Sequence, residues 1–183
     1  MLERLQLPFR AIAPDIDERP FPQELPTALV ERLAVAKARA IAQQHPEALV
    51  IGSDQVAVQD GRIVGKPADH AAAVQQLRDA SGRRVVLHTG LALIDAASGR
   101  TQSQVVPFAT MFRRLSDAEI ESYLAKDKPY NCAASALSGR GWSLASGAGL
   151  AHCGRCKVAW PHVDRKNRVT SLRIKAPGAR VIP

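Results

Sequence analysis

A chain of 183 residues with 46% apolar and 23% charged side chains is long enough to bury a core as one domain, and its composition is that of a globular protein. No apolar run approaches the length of a membrane-spanning helix, the opening Met1-Leu-Glu-Arg-Leu carries charges where a secretory core has none, and three cysteines make no disulfide framework, so a reducing, cytoplasmic setting is expected. The formal charge of +8 is unevenly placed: residues 1–132 hold 16 basic and 16 acidic side chains, whereas the last 51 hold nine basic ones against Asp164 alone. A neutral body does not point to nucleic acid, and a tail that binds it would lose its grip steeply with salt.

Phe9 to Ala13 reads as a short strand ended by Pro14 and the acidic cluster Asp15-Ile-Asp-Glu18. Leu25, Leu29, Leu33, Ala36 and Ala40 recur at helical spacing and predict an amphipathic helix over about 26–44. Ala48-Leu-Val-Ile51 follows as a buried strand, and Asp60-Gly61 between Val56-Ala-Val58 and Ile63-Val64 as a hairpin turn. Asp69 caps a helix with the stripe Ala73, Val74, Leu77 and Ala80, two strands are expected over about 84–94 and 101–114, and Ser116-Asp-Ala-Glu119 opens a last helix as a capping box. Beyond Cys132 the regularity stops.

Chemistry concentrates around Gly52-Ser-Asp-Gln55 and Gly65-Lys66-Pro67. A strand that ends on an acid puts it where ligands bind in open α/β sheets. A two-residue turn at Asp60-Gly61 makes residue i face residue 121 − i, so Val58 faces Ile63 and Gln55 faces Lys66. The Asp54-Gln55 corner and the Lys66 amine then suit a metal-bound phosphate substrate, or else they are scattered charges on a surface hairpin. Lys37 lies at the edge of the apolar stripe, either snorkelling to water or reaching towards a polyanion. Asp15, Asp17 and Glu18 are either a solvated turn or hard-oxygen ligands for Mg²⁺ or Mn²⁺. Cys153-Gly-Arg-Cys156 with His152 and His162 lacks the second paired element of a structural zinc site and reads as chance. His88, mid-strand, reads as a hydrogen-bonded core residue.

The segments Gly52-Ser-Asp-Gln-Val56, Gly65-Lys-Pro67 and Arg32-Leu-Ala-Val-Ala-Lys-Ala38, supported by Pro14-Asp-Ile-Asp-Glu18 and Leu115-Ser-Asp-Ala-Glu-Ile120, resemble the Maf family of nucleotide pyrophosphatases, especially its branch that hydrolyses 7-methyl-GTP. The resemblance implies a three-layer α/β/α fold with a mixed sheet over residues 1–133, followed by a divergent basic tail over 134–183. It implies Asp54 as the catalytic acidic residue, taking a proton from the attacking water or else ligating the metal, Gln55 as the position that tunes base choice, Lys37 and Lys66 as substrate-binding lysines, and Asp17 as an acidic, metal-side residue. It further implies a divalent cation, Mg²⁺ or Mn²⁺, cleavage between the α- and β-phosphates, and a homodimer. Within the family Gln55 disfavours the sibling activity on dTTP and UTP. The family's opening strand and Ser-rich, Arg-containing loop have no counterpart before Met1, and its Gly-Leu-Pro after Cys-Ala is absent, so a frameshifted tail and a relative that binds nucleotide without turnover are carried as expectations beside the enzyme.

Overall fold

The computed structural model describes residues 8–128 and Tyr130. In chain order these residues form α1 (Pro26–Ala42), β1 (Leu49–Gln59), β2 (Arg62–Val64), α2 (His70–Ala80), β3 (Arg84–Asp95), β4 (Arg100–Met111) and α3 (Asp117–Asp127). The strands hydrogen-bond in the order β2-β1-β3-β4. β1 and β2 pair antiparallel. Outside β1 and β3 the Ala96 amide donates to the Ala48 carbonyl at 2.9 Å, and within them Ser53 Oγ donates to the Gly90 carbonyl at 3.0 Å. Partner numbers fall on one strand as they rise on the other, so this pair is antiparallel too. The α/β class stands, while the parallel pair that a mixed sheet requires is not found among the described residues.

Local chemistry explains where the elements begin and end. Pro26 opens α1, where its missing N–H costs nothing. Asp69 caps α2 through the Ala72 amide, and Ser116 with Glu119 forms the expected capping box of α3. Asp60 and Gly61 both take positive φ, 48° and 76°, the twist that a two-residue hairpin needs. The register is the expected one, with Ala57 opposite Val64, Val58 opposite Ile63 and Gln59 opposite Arg62.

Two local expectations also fail. Phe9 to Ala13 form no strand: the segment is exposed and no described strand pairs with it. The corner expected at Asp54 is also absent, because β1 runs unbroken through Asp54 and Gln55 to Gln59. Gly52 and Ser53 resemble a strand end in sequence, but here the glycine marks a close approach.

The described chain divides into two compact units, one of residues 8–54 and 89–106, the other of 55–88, 107–128 and Tyr130. In the first, α1 lays Ala34, Ala38 and Ala42 against Ala48, Val50, Ala92 and Ile94. In the second, Val74 and Leu77 of α2 and Ile120, Tyr123 and Leu124 of α3 close over Ala57, Val85, Leu87 and Phe112. Small residues on α1 let helix and sheet approach closely. A Cβ on Gly52 would collide with the Ala34 carbonyl oxygen and stand 2.7 Å from the Ala38 nitrogen, and one on Gly90 would collide with the Val30 carbonyl. Residues 134–183, including Cys153, Cys156, His152 and His162, lie outside the described residues, as does the expected tail boundary at 133.

Candidate active site

The tight seat of α1 on Gly52 sets the geometry of the site. Side chains alternate along a strand, so Asp54 shares the face of Val50 and Gly52 that packs on α1. Lys37 lies on α1 between Ala34 and Ala38, the two residues that touch Gly52. The lysine therefore spans a short gap, and its Nζ donates to Asp54 Oδ1 at 2.7 Å. The same ammonium pairs with Glu18 Oε1 at 2.7 Å, so two carboxylates from different segments share one cation.

This cluster is largely out of water: the side chain of Lys37 is 18% exposed and that of Asp54 12%, so solvent screens their attraction less than at a surface pair. Burial pushes the Lys37 ammonium towards its neutral form, but the hydrogen bonds to Asp54 and Glu18 prevail and hold it above the ordinary lysine range. Lys37 is thus a fixed positive charge, and the snorkelling alternative gives way to an inward-facing amine.

Asp17 is placed elsewhere. Its carboxylate accepts from Arg19 Nε and Nη2, at 2.9 and 2.6 Å, and from the Arg19 amide at 3.0 Å. That guanidinium pulls the Asp17 carboxyl down to about 2. Glu18, its neighbour, is the residue that reaches Lys37, although the sequence pattern singles out Asp17. Adjacent side chains of a non-helical segment point different ways, and nothing in Asp-Ile-Asp-Glu says which one faces the helix.

Gln55 and Lys66 belong to the second unit. Gln55 is half-buried on β1, and Lys66 is exposed just past β2. The pairing ends at Ala57 and Val64, so these two residues lie beyond the ladder that was expected to set them opposite each other. His88 is half-buried, and its Nδ1 is buried without a hydrogen-bond partner among the described residues, contrary to the hydrogen-bonded histidine expected there. No group of three or more acidic, histidine or cysteine side chains that could hold a metal ion is found among the described residues.

A family model described as Maf-like protein matches residues 1–146. The chain belongs to the Maf family. Proteins named 7-methyl-GTP pyrophosphatase are similar to this Maf chain at half of the compared positions. The protein of Aromatoleum aromaticum is 51% identical over 138 residues, which cover 75% of this chain and 71% of the relative. That of Nitrosococcus oceani is 52% identical over 135 residues, 74% and 68%, and that of Nitrosospira multiformis 50% over 145 residues, 79% and 73%. The Maf match takes in both carboxylates and the lysine of the cluster, as well as Gln55 and Lys66.

Proposed function

We propose that this chain hydrolyses 7-methyl-GTP to 7-methyl-GMP and diphosphate, removing a modified nucleotide from the cytoplasmic pool, and that it does so as a homodimer. The observation that carries the reading is the Lys37 ammonium held between Asp54 and Glu18 on the face where α1 seats against Gly52. A protonated lysine there is a ready partner for phosphate oxygens. In this reading Asp54 accepts a proton from the attacking water, and Lys37 steadies the charge that develops on the phosphate. The family resemblance carries over Lys66 as a further substrate-binding lysine and Gln55 as the position that tunes base choice, and a carboxamide has both donors and an acceptor for such a role.

Asp54 and Glu18 are two hard-oxygen donors around one point, too few to hold Mg²⁺ or Mn²⁺ by themselves. Their hard-oxygen chemistry would suit an ion that came bound to the triphosphate. Such an ion supplies charge neutralisation at the phosphates. Every proton transfer in this reading is assigned to the chain's own side chains.

The test is diphosphate release from 7-methyl-GTP, GTP, dTTP and UTP with Mg²⁺ or Mn²⁺, with the nucleoside product identified by chromatography. The expected result is release with 7-methyl-GMP as product and the highest kcat/KM for 7-methyl-GTP. Binding of 7-methyl-GTP without turnover, or preference for dTTP and UTP, would overturn the reading.

A further inference from the structure

Glu18 lies in a segment without regular secondary structure, with its own side chain half in water, yet its carboxylate meets the Lys37 ammonium at 2.7 Å. Something must hold that segment against α1. The side chain that does so is Arg32, about 1.4 turns before Lys37 on α1. Its guanidinium grips Glu24 by a two-pronged bond, Nε to Oε1 at 2.6 Å and Nη2 to Oε2 at 2.7 Å. It also donates from Nη2 to the Arg19 carbonyl at 3.1 Å and lies over the Phe21 ring at 4.0 Å from its centre. Glu24 in turn accepts from the Phe21 amide at 3.0 Å. One planar group thus holds residues 19, 21 and 24 at once, a task that suits a rigid fork and not the point charge of a lysine.

We propose that Arg32 is a positioning residue whose clamp on Arg19, Phe21 and Glu24 delivers the Glu18 carboxylate to Lys37. The clamp touches neither Lys37 nor Asp54 by any of these bonds; it acts through the chain that links Arg19 to Glu18. Glu24 is almost fully covered, with 8% of its side chain exposed, so the Arg32 fork is shielded from competition by water. Removing the fork while keeping the charge frees the segment and leaves the Lys37–Asp54 bond, which α1 and β1 hold independently of it, in place. The inference rests on the proposed function only for the purpose of the site.

A zero-length carbodiimide crosslink, which joins a carboxylate to an amine only where they already touch, reads the geometry without nucleotide. In the full wild-type chain, peptide mapping is expected to show Lys37 joined to both Glu18 and Asp54. In Arg32→Lys and in Glu24→Gln the ratio of the Glu18 product to the Asp54 product is expected to fall about tenfold, with the Asp54 product as internal standard. The double change Arg32→Glu with Glu24→Arg is expected to restore it in part. With 7-methyl-GTP as substrate, Arg32→Lys and Glu18→Gln are expected to change kcat/KM in the same direction and by similar factors, and the double variant by no more than Glu18→Gln alone. An unchanged product ratio, or loss of both crosslinks together, would overturn the clamp. A wild-type chain inert towards 7-methyl-GTP that still shows the ratio change would overturn the function and leave the clamp standing.

Discussion

An ammonium shared between two carboxylates has less of its charge to offer a phosphate than a free one, so in the proposed reaction substrate competes for Lys37 with Glu18 or Asp54. The more exposed partner is Glu18, 53% against 12%, and it is the one a phosphate can replace at lower cost in lost contacts. In the proposed reaction Asp54 stays on Lys37 and takes the proton of the attacking water. Asp54→Asn keeps an oxygen for the lysine to bond but removes the proton acceptor, so kcat on 7-methyl-GTP is expected to fall at least ~10²-fold. The fold should persist, as thermal unfolding will show; near-normal turnover by the variant would remove Asp54 from the chemistry. Gln55 carries a different expectation. Gln55→Thr replaces a carboxamide with a short hydroxyl and is expected to move the ratio of kcat/KM away from 7-methyl-GTP relative to dTTP and UTP, and steady-state rates on all three nucleotides measure it.

At the level of elements, Gly52 is as much a part of the site as the charges are. A methyl there meets backbone atoms of Ala34 and Ala38, which cannot turn aside as a side chain would. Gly52→Ala is expected to cost about 1–3 kcal/mol by overpacking. It is also expected to lower the yield of the Lys37–Asp54 crosslink, because α1 must back away from β1. An unaltered melting temperature together with an unaltered crosslink would show that the seat is looser than it looks. The same glycine marks the limit of what could be read from sequence. Capping residues, the hairpin turn and its register were legible because each depends on a few neighbouring residues: Asp69, Ser116 with Glu119, and Asp60-Gly61 act locally. The unbroken course of β1 through Asp54 was not, because Gly52 breaks strands in isolation and tightens them only when a helix of small residues lies across. The choice of Glu18 over Asp17 was equally hidden, since it depends on Arg19 and on a clamp that closes from Arg32, residues 13 positions apart.

Over the whole molecule, acidity acts on a chain that already carries +8, so each carboxylate protonated adds to a positive self-repulsion. Carboxylates held well below their ordinary range are the last to be neutralised, and each described unit contains one that bears on its architecture. Glu24, in the Arg32 fork, is pulled down from 4.5 to about 2, chiefly by its hydrogen bonds to that guanidinium. Glu119, in the α3 capping box, is pulled to about 2 by the Ser116 amide and hydroxyl and by Arg113. A folded-state value below the unfolded one means that the unfolded chain binds the proton more readily. Stability from these groups is therefore fully present above about 4.5 and is lost as pH falls from there towards 2. Hydrogen exchange resolved by peptide, recorded between about pH 4.5 and about pH 2.5, is expected to show protection falling with pH in 19–42 and in 113–127. Glu24→Gln is expected to lower protection in 19–42 at the upper end of that range and to flatten its pH dependence, because an amide bonds to Arg32 without titrating. Glu119→Gln is expected to do the same in 113–127, where the cap survives as a neutral bond. If both variants keep the wild-type slope in their own segments, these two carboxylates do not govern acid stability, and the repulsion among the basic side chains governs it instead.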